Sequence, residues 1–231
     1  MALAPSRTNG LSTAPERVAA ALRDELLDGA HPVGTRLREE ELAERFDVGR
    51  HTIRAALRLL VENSLVVHER HRGAVVAPLT KRRIDEVFDY RKILELGALR
   101  VALAAGADLT PVRAAVQRLE ELARRSPNPS WRDLTAAHSA VHRAIVAAAG
   151  NSHVLSAYHR CEDEVRLLLT FVRPDFDAVR LAALHRELVE RLELGGEAAV
   201  EALDEDIEHG GRAALLAALR RAEDAARMLG R

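Results

Sequence analysis

Apolar side chains recur every three or four residues along most of the chain, which is the spacing of helices that bury one face. In the first sixty residues this pattern predicts three helices, which begin near Thr13, Glu39 and Arg50. Two short runs rich in valine follow, over 65–67 and 74–76, and a polar loop separates them. Three helices followed by a small hairpin indicate a winged helix-turn-helix.

From residue 80 onward the long segments keep the helical period and lack the alternation of strands. Glycine, proline and asparagine interrupt the pattern near 106–108, 126–129, 150–151, 174 and 195–196. These breaks separate helices predicted near 81–105, 110–125, 131–149, 152–172, 176–194 and 197–223. Short connections favour antiparallel neighbours. The predicted fold is mainly α: an N-terminal winged helix-turn-helix and a C-terminal all-helical antiparallel bundle.

The chain has 231 residues, of which 48% are hydrophobic, enough for two modest cores. Aromatic residues make up only 3%, so both cores should be aliphatic. The predicted parts are a flexible arm over 1–12, the winged domain over 13–78, a linker over 79–83 and the helical domain over 84–231.

Positive charge is concentrated in one segment, although the whole chain carries a formal net charge of −1. Between Arg45 and Arg72, six arginines stand against three carboxylates. On the third predicted helix Arg50, Arg54 and Arg58 recur every four residues and share one stripe beside the apolar face. Such a helix suits a DNA groove, although arginines at this spacing are also common on helix faces that only contact solvent.

The residues around this helix resemble the GntR family of bacterial transcription regulators. The matching positions are Gly29, Pro32-Val33-Gly34, Leu37, Glu41-Leu42-Ala43, Phe46 to Arg54, Ala56-Leu57, Leu60 and Arg72-Gly73. The resemblance implies that the third helix enters the major groove and that the wing tip reaches the minor groove. The DNA-binding residues that it implies are Gly49, Arg50, His51, Thr52, Arg54, Arg58, Arg72 and Gly73.

Two positions depart from the family pattern. Gly49 stands where the family often has serine or threonine, so the helix start is kept but one hydroxyl contact is lost. Ser64 stands where the family usually has glycine, so the turn into the wing should have a different shape.

Histidines in the helical region are candidates for chemistry. His138 and His142 are four residues apart on one predicted helix and project from the same face. His185 lies on a later helix, and Asp206 and His209 lie on the last one. Imidazole and carboxylate are ordinary ligands of Zn, Ni and Mn. The His138–His142 pair also fits a polar helix surface or a hydrogen-bonded buried pair.

This region resembles the FCD domain, the ligand-sensing half of the FadR-type branch of GntR regulators. The resemblance is carried by Arg91, Leu94-Glu95, the stretch 142–151 and His185-Arg186. It implies a divalent metal ion, which the family holds with one aspartate and three histidines. His138 occupies the family's aspartate position, and the family's last histidine falls on Asp206. The implied metal ligands are therefore His138, His142, His185 and Asp206, with His209 as the alternative to Asp206.

The implied metal site also indicates which class of small molecule the domain would bind. A divalent ion with one carboxylate and three neutral imidazoles keeps a net charge near +1 and open positions that an organic carboxylate can occupy. Arg91, at the family's inward-facing arginine, and Arg166 are the candidate effector-binding residues. Arg91 has an alternative role as a surface ion pair with Glu95, four residues further along its helix.

We therefore predict a homodimeric, cytoplasmic, ligand-responsive transcription regulator whose two winged domains bind a palindromic operator. The resemblance implies a repressor that a small organic acid releases, acting through the Pro78–Arg83 linker. One alternative is a helical-bundle metalloenzyme that acts on a small carboxylate, although no HExxH motif is present. Another is a regulator whose metal is structural or is itself the sensed ligand.

The remaining sequence features exclude several other classes. No apolar run approaches the roughly 18 residues of a membrane span. A single cysteine, Cys161, excludes a disulfide framework within the chain and fits a reducing compartment. The absence of strand patterns after Ala77 disfavours the GntR branch that has an α/β effector domain.

Overall fold

The computed structural model describes residues 12–125, 129–173 and 177–228. The predicted arm before Ser12 and the break at Pro174 lie outside these ranges, as does most of the break at 126–129. The described residues confirm the predicted fold class: a helical N-terminal unit with a small wing, followed by an all-helical domain. No described helix combines the length and the apolar composition that crossing a bilayer requires.

The N-terminal unit comprises α1 (Ala14–Leu27), α2 (Glu39–Arg45), α3 (Arg50–Glu62), β1 (Val66–Glu69) and β2 (Gly73–Val76). Helix α1 starts where the sequence indicates, because the Thr13 hydroxyl accepts from the Glu16 N–H while the Glu16 carboxylate accepts from the Thr13 N–H. Strands β1 and β2 are antiparallel, with Val66 opposite Val76. Leucine, isoleucine and valine side chains from all these elements form one aliphatic core.

An isolated β-bridge from the segment before α2 extends the wing, which the sequence pattern did not predict. The Val76 N–H donates to the Thr35 carbonyl at 2.9 Å, and the Leu37 N–H donates to the Ala74 carbonyl at 2.9 Å. Arg36 lies opposite Val75 in this pairing. The segment between α1 and α2 therefore forms one edge of the wing and is fixed beside it.

The helical domain comprises α4 (Lys81–Ala104), α5 (Thr110–Arg125), α6 (Trp131–Ala147), α7 (Ser152–Leu169), α8 (Ala178–Glu193), α9 (Gly196–Glu205) and α10 (Ala213–Met228). Its core is again mainly aliphatic. Residues 81–83, predicted as the end of the linker, form the first turn of α4 because the Thr80 hydroxyl caps the helix by accepting from the Arg83 N–H.

The predicted last helix is divided by a π-helical segment, Asp206–Arg212, between α9 and α10. Its two glycines differ in their surroundings. A Cβ on Gly211 would lie 2.5 Å from Cε1 of Phe88, whereas a Cβ on Gly210 would lie 3.6 Å from Oδ1 of Asp206, an ordinary contact. The π-helical segment therefore packs its backbone directly on the Phe88 ring, and widened turns of this kind are frequent at functional sites.

The two domains are packed against each other along α1 and α7. The Arg23 guanidinium on α1 forms a bidentate ion pair with Asp163 on α7. Leu167 of α7 is buried in the core of the N-terminal unit. Arg83 on α4 donates to the Ser64 carbonyl and to the Glu164 carboxylate. The helical domain is thus in direct contact with the first helix and with the turn into the wing.

The contact between Gly211 and Phe88 can be tested by substitution. Gly211→Ala should lower the free energy of unfolding by about 1–3 kcal/mol, because Phe88 is fully buried and cannot retreat. Gly210→Ala is the matched control and should be neutral or stabilise by roughly 0.5–1 kcal/mol through better helix propensity. Urea denaturation followed by circular dichroism measures both, and equal effects would contradict the proposed packing.

Candidate functional site

A basic groove lies between the start of α3, the segment before α2 and the wing. Its volume is about 340 Å³, and the lining residues are Arg36, Leu37, Arg38, Glu39, Glu40, Arg50, Arg54, Arg72, Gly73 and Ala74. Five arginines against two glutamates make this groove positive. Of the residues that the first resemblance implies, Arg50, Arg54, Arg72 and Gly73 meet here.

The arginines of α3 are held by glutamates of α2. The Arg54 Nε lies 2.7 Å from a Glu39 oxygen, and an Arg50 Nη lies 3.0 Å from a Glu40 oxygen. Both arginine side chains remain more than half exposed. Exposed ion pairs contribute at most about 1 kcal/mol. These contacts therefore orient the guanidinium groups and can be exchanged for contacts with phosphate or base edges at little cost.

The other implied residues of α3 occupy its first turns. Gly49 is the N-cap residue and makes no side-chain hydrogen bond, so the expected loss of a hydroxyl contact fits the structure. His51 is exposed and Thr52 is half-buried. Arg58 is exposed one turn further along and does not line the groove.

The turn into the wing keeps the conformation that glycine would favour. Ser64 has φ +58°, in the left-handed region, and Arg83 donates to its carbonyl. At the wing tip Gly73 has φ +75°, and Arg72 donates to the Glu69 carboxylate and the Gly34 carbonyl. The wing tip is therefore tied to the segment that precedes α2.

Sequence reasoning missed Arg36 and Arg38. They flank Leu37, which is 4% exposed, so all three alternate as in a strand with one buried side. The arginine–leucine–arginine alternation was the available signal, but a run of three residues is too short for a strand prediction.

A second site lies inside the helical domain. His138 and His142 project from α6, His185 from α8, and Asp206 from the start of the π-helical segment. The Nε2 atom of His142 lies 3.2 Å from that of His138 and 3.4 Å from that of His185. Oxygens of Asp206 lie 3.6 Å from the His142 Nε2 and 4.0 Å from the His185 Nε2. The structure therefore brings together the four residues implied as ligands.

The hydrogen bonds of two histidines fix their tautomers. The Nδ1 of His185 lies 2.9 Å from the Leu181 carbonyl, which can only accept, so Nδ1 carries the proton. The Nδ1 of His142 lies 2.8 Å from a Glu95 carboxylate oxygen and donates to it. In the neutral rings both Nε2 atoms are consequently unprotonated. Two lone pairs and a carboxylate that converge in this way suit a cation placed between them.

Protonation of His138 or His185 does not supply that cation. Burial lowers the pKa of His138 well below its usual value, and His185 and His142 lower it further by repulsion. Burial also lowers the pKa of His185, although Asp206 opposes this effect. The donor set of three imidazoles and one carboxylate fits a divalent metal ion such as Zn, Ni or Mn.

A buried ionic chain stands behind His142. Arg91, on α4, donates from Nε to Glu95 at 2.7 Å, and Glu95 accepts from His142. Burial alone would raise the pKa of Glu95, but the charge of Arg91 and the hydrogen bonds from Arg91 and His142 overcome it and lower the pKa to about 2. The pair with Glu95 expected on the surface is thus formed inside the domain, and Arg91 also lines the cavity.

The cavity at these residues has a volume of about 380 Å³. The residues that line it are Arg91, His138, His142, Leu169, Val172, Asp177, Arg180, Leu181, Leu184, His185, Asp206, His209, Gly210, Gly211, Ala214, Ala217 and Arg221. Both alternatives for the last ligand are present. Asp206 has the short distances to His142 and His185, so the geometry favours it over His209.

The expectation that Arg166 binds the effector is corrected by the structure. Arg166 does not line this cavity and is buried between α6 and α7. Its guanidinium donates to the Arg132 carbonyl at 3.3 Å and lies 3.9 Å from an Asp163 oxygen. The side chain is therefore held in the interface between α6 and α7, close to α1.

Comparison with known families assigns both parts of the chain. The family model described as "Bacterial regulatory proteins, gntR family" matches residues 14–76, and the model of the FCD domain matches residues 86–209. The first match contains the basic groove, and the second contains the three histidines, Asp206 and most of the other residues that line the cavity.

Individual relatives agree with this assignment. The probable D-xylose utilization operon transcriptional repressor of Paenarthrobacter nicotinovorans is 30% identical over 183 residues, which cover 77% of this chain and 80% of that protein. The gluconate operon transcriptional repressor of Bacillus licheniformis is 42% identical over 79 residues, 34% of this chain and 32% of the relative. A GntR transcriptional regulator of Rhodococcus sp. RHA1 has a similar structure, with a TM-score of 0.74 and 27% identity, over 89% of this chain and 99% of that one.

The choice between Asp206 and His209 can be tested by metal binding. Asp206→Asn should weaken the binding of Zn²⁺ or Ni²⁺ tenfold or more, because it removes the carboxylate from the donor set. His209→Ala, the matched control in the same segment, should change the affinity less than twofold. Calorimetric titration of protein freed of metal by a chelator measures both, and the reverse order would assign the last ligand to His209.

Proposed function

The chain belongs to the gntR family of bacterial regulatory proteins and carries an FCD domain, and on that premise we propose that it represses transcription until a small organic acid binds its helical domain. It is a ligand-responsive DNA-binding transcription regulator, not an enzyme. The observation that carries the proposal is the cavity in which three histidines, Asp206 and Arg91 converge. The relatives named above are repressors of operons for D-xylose and gluconate, which supports repression over activation.

The DNA-binding residues proposed are those of the basic groove and the first turns of α3. Arg50 and Arg54 would contact guanine edges or phosphates, and Arg72 with Gly73 would serve the minor groove. Gly49, His51 and Thr52 would act at the start of α3, where the helix dipole favours phosphate. Arg58, which lies outside the groove, would reach only the backbone, and Arg36 and Arg38 extend the positive surface.

A homodimer on a palindromic operator follows from the same proposal, because two-fold symmetry in the protein matches inverted half-sites in DNA. An exposed stripe on α4 supports it. Ile93 is 72% exposed and Val101 is 55% exposed, with Gly97 midway between them. A Cβ on Gly97 would meet nothing within 4 Å, so packing within the chain does not require glycine there. If two antiparallel copies of α4 crossed at Gly97, Ile93 of one copy would face Val101 of the other.

The metal ion would hold the effector. With His138, His142, His185 and Asp206 as ligands, a divalent ion offers open positions to a carboxylate. Arg91 uses its Nε for Glu95, so its Nη groups can donate to the same anion. Such a regulator would act in the cytoplasm, where its operator lies.

Effector binding would reach the DNA-binding domain through the contacts between α7 and α1 as well as through the segment before α4. Leu169 and Val172 line the cavity, while Leu167 is buried in the core of the N-terminal unit. A ligand shifts the equilibrium only if it binds two arrangements of the domains with different affinity.

The proposed function is tested by selecting bound sequences from a pool of random double-stranded DNA. We expect an inverted repeat, occupied by two chains per duplex in native mass spectrometry. Release by organic acids should require metal and should be lost after chelation. Selection of no preferred sequence, or release that does not depend on metal, would contradict the respective part of the proposal.

Arg54 is the sharpest test of the groove. Arg54→Ala should weaken binding to the selected operator by about 1–3 kcal/mol, because α3 loses a base or phosphate contact. Arg113→Ala removes the same charge from an exposed site in the helical domain and serves as the control. Gel-shift titrations at one salt concentration measure both, and equal affinities would remove Arg54 from the DNA interface.

A further inference from the structure

The cavity in the helical domain has two chemically different parts. One end carries the three histidines, Asp206 and Arg91. Much of the remaining wall consists of hydrocarbon side chains contributed by α7, the turn after it, α8 and α10, namely Leu169, Val172, Leu181, Leu184, Ala214 and Ala217.

The described lining residues include no side chain with a hydroxyl or a carboxamide group. Their hydrophilic side chains are all ionisable, and Asp177 is already engaged because it caps α8 by accepting from two backbone N–H groups. A polyhydroxylated ligand needs a partner for each hydroxyl that it removes from water, since an unpaired polar group costs free energy. The other ionisable lining side chains, Arg180, His209 and Arg221, are exposed, so the buried part of the wall offers such a ligand few partners.

The charge at the polar end selects the head group. Asp206 and Glu95 together offset the Arg91 guanidinium and half the charge of a divalent ion, and a histidine that binds a metal does so as a neutral imidazole. One net positive charge remains, and a single carboxylate neutralises it. Arg180 and Arg221 also line the cavity but are exposed to solvent, so they are not part of this buried end, which fits a monoanion.

The apolar wall extends away from this end. Leu181 lies four residues before His185 on α8, which is about 6 Å along the helix axis. Leu184, which is 44% exposed, shares this wall, and Ala214 and Ala217 face it from α10. A ligand anchored at the metal would run its body along these side chains toward the mouth of the cavity.

We propose that the effector is a monocarboxylate with a hydrocarbon body and not a sugar acid. This inference rests on the proposed function, in which an organic acid binds at the metal, and it names the class of that acid. It also separates this chain from the gluconate repressors among its relatives, whose names refer to a polyhydroxylated acid.

Three acids test the proposal on protein loaded with one equivalent of Zn²⁺: acetate, hexanoate and gluconate. Calorimetry measures their dissociation constants, and thermal shift provides a second readout. Each buried methylene should tighten binding roughly threefold to fourfold. Hexanoate should therefore bind at least tenfold more tightly than acetate, and at least tenfold more tightly than gluconate, which has the same number of carbons.

A pair of variants locates the binding. Leu184→Asn should weaken hexanoate binding about tenfold and leave the affinities for acetate and Zn²⁺ unchanged, because only the apolar wall is altered. Leu194→Asn makes the same substitution just after the last turn of α8, at a leucine that is 79% exposed and does not line the cavity, and should change nothing.

The outcomes separate the two levels of the proposal. Tighter binding of gluconate than of hexanoate would overturn the hydrocarbon assignment and leave a carboxylate effector standing. Hexanoate binding that Leu184→Asn does not weaken would place the acid elsewhere and also overturn it. If none of the three acids binds the Zn²⁺-loaded protein, the carboxylate effector of the proposed function is itself wrong.

Discussion

The helical domain depends on a buried chain of charge that runs from Arg91 through Glu95 to His142. An unpaired buried charge costs several kcal/mol, so each member is tolerated only because the next one neutralises or hydrogen-bonds it. The chain ties α4 to α6 and sets the tautomer of His142, whose Nε2 then faces the cavity. Arg91 also lies over the Phe88 ring at 5.2 Å, and that ring contacts Gly211. One ionic chain thus positions two helices and the π-helical segment that carries Asp206.

The basic groove is built on the opposite physical basis. Its ion pairs, Arg50 with Glu40 and Arg54 with Glu39, are largely exposed and contribute little to stability. Weak pairs suit a surface whose partners must be exchanged when a polyanion arrives, whereas the cavity needs groups that stay fixed. The Glu39 and Glu40 carboxylates also reduce the attraction for arbitrary phosphate. The affinity of the α3 surface for DNA should therefore depend more on correct base and backbone contacts than the number of its arginines alone indicates.

The parts of this structure that could be predicted from sequence are those governed by local periodicity. The apolar face of α3 and the shared face of His138 and His142 follow from helical spacing alone, because a helix must bury one side. Arg166 could not be placed in this way. Buried residues lie on several sides of α7, which packs on α1, α4 and α6, so spacing does not tell which neighbour a given side chain faces.

The π-helical segment and the β-bridge of the wing could not be predicted from sequence, for a different reason. Both depend on tertiary contacts, the first on the Phe88 ring against Gly211 and the second on hydrogen bonds from β2 to Thr35–Leu37. Both segments are seven residues long or shorter, which is too short for such contacts to show as a periodic pattern of apolar residues. The distances from Asp206 to His142 and His185 could not be predicted either, because the π-helical turn sets them.

The end of α7 joins the cavity to the DNA-binding domain within a few residues. Leu167 is buried in the core of the N-terminal unit, and the Arg173 side chain donates to the Asp28 carbonyl just after α1. Between them, Leu169 and Val172 line the cavity. Side chains that fill a close-packed core transmit displacement, because no void absorbs it. A ligand body that presses on Leu169 and Val172 would therefore act on a segment anchored at both ends to the DNA-binding domain.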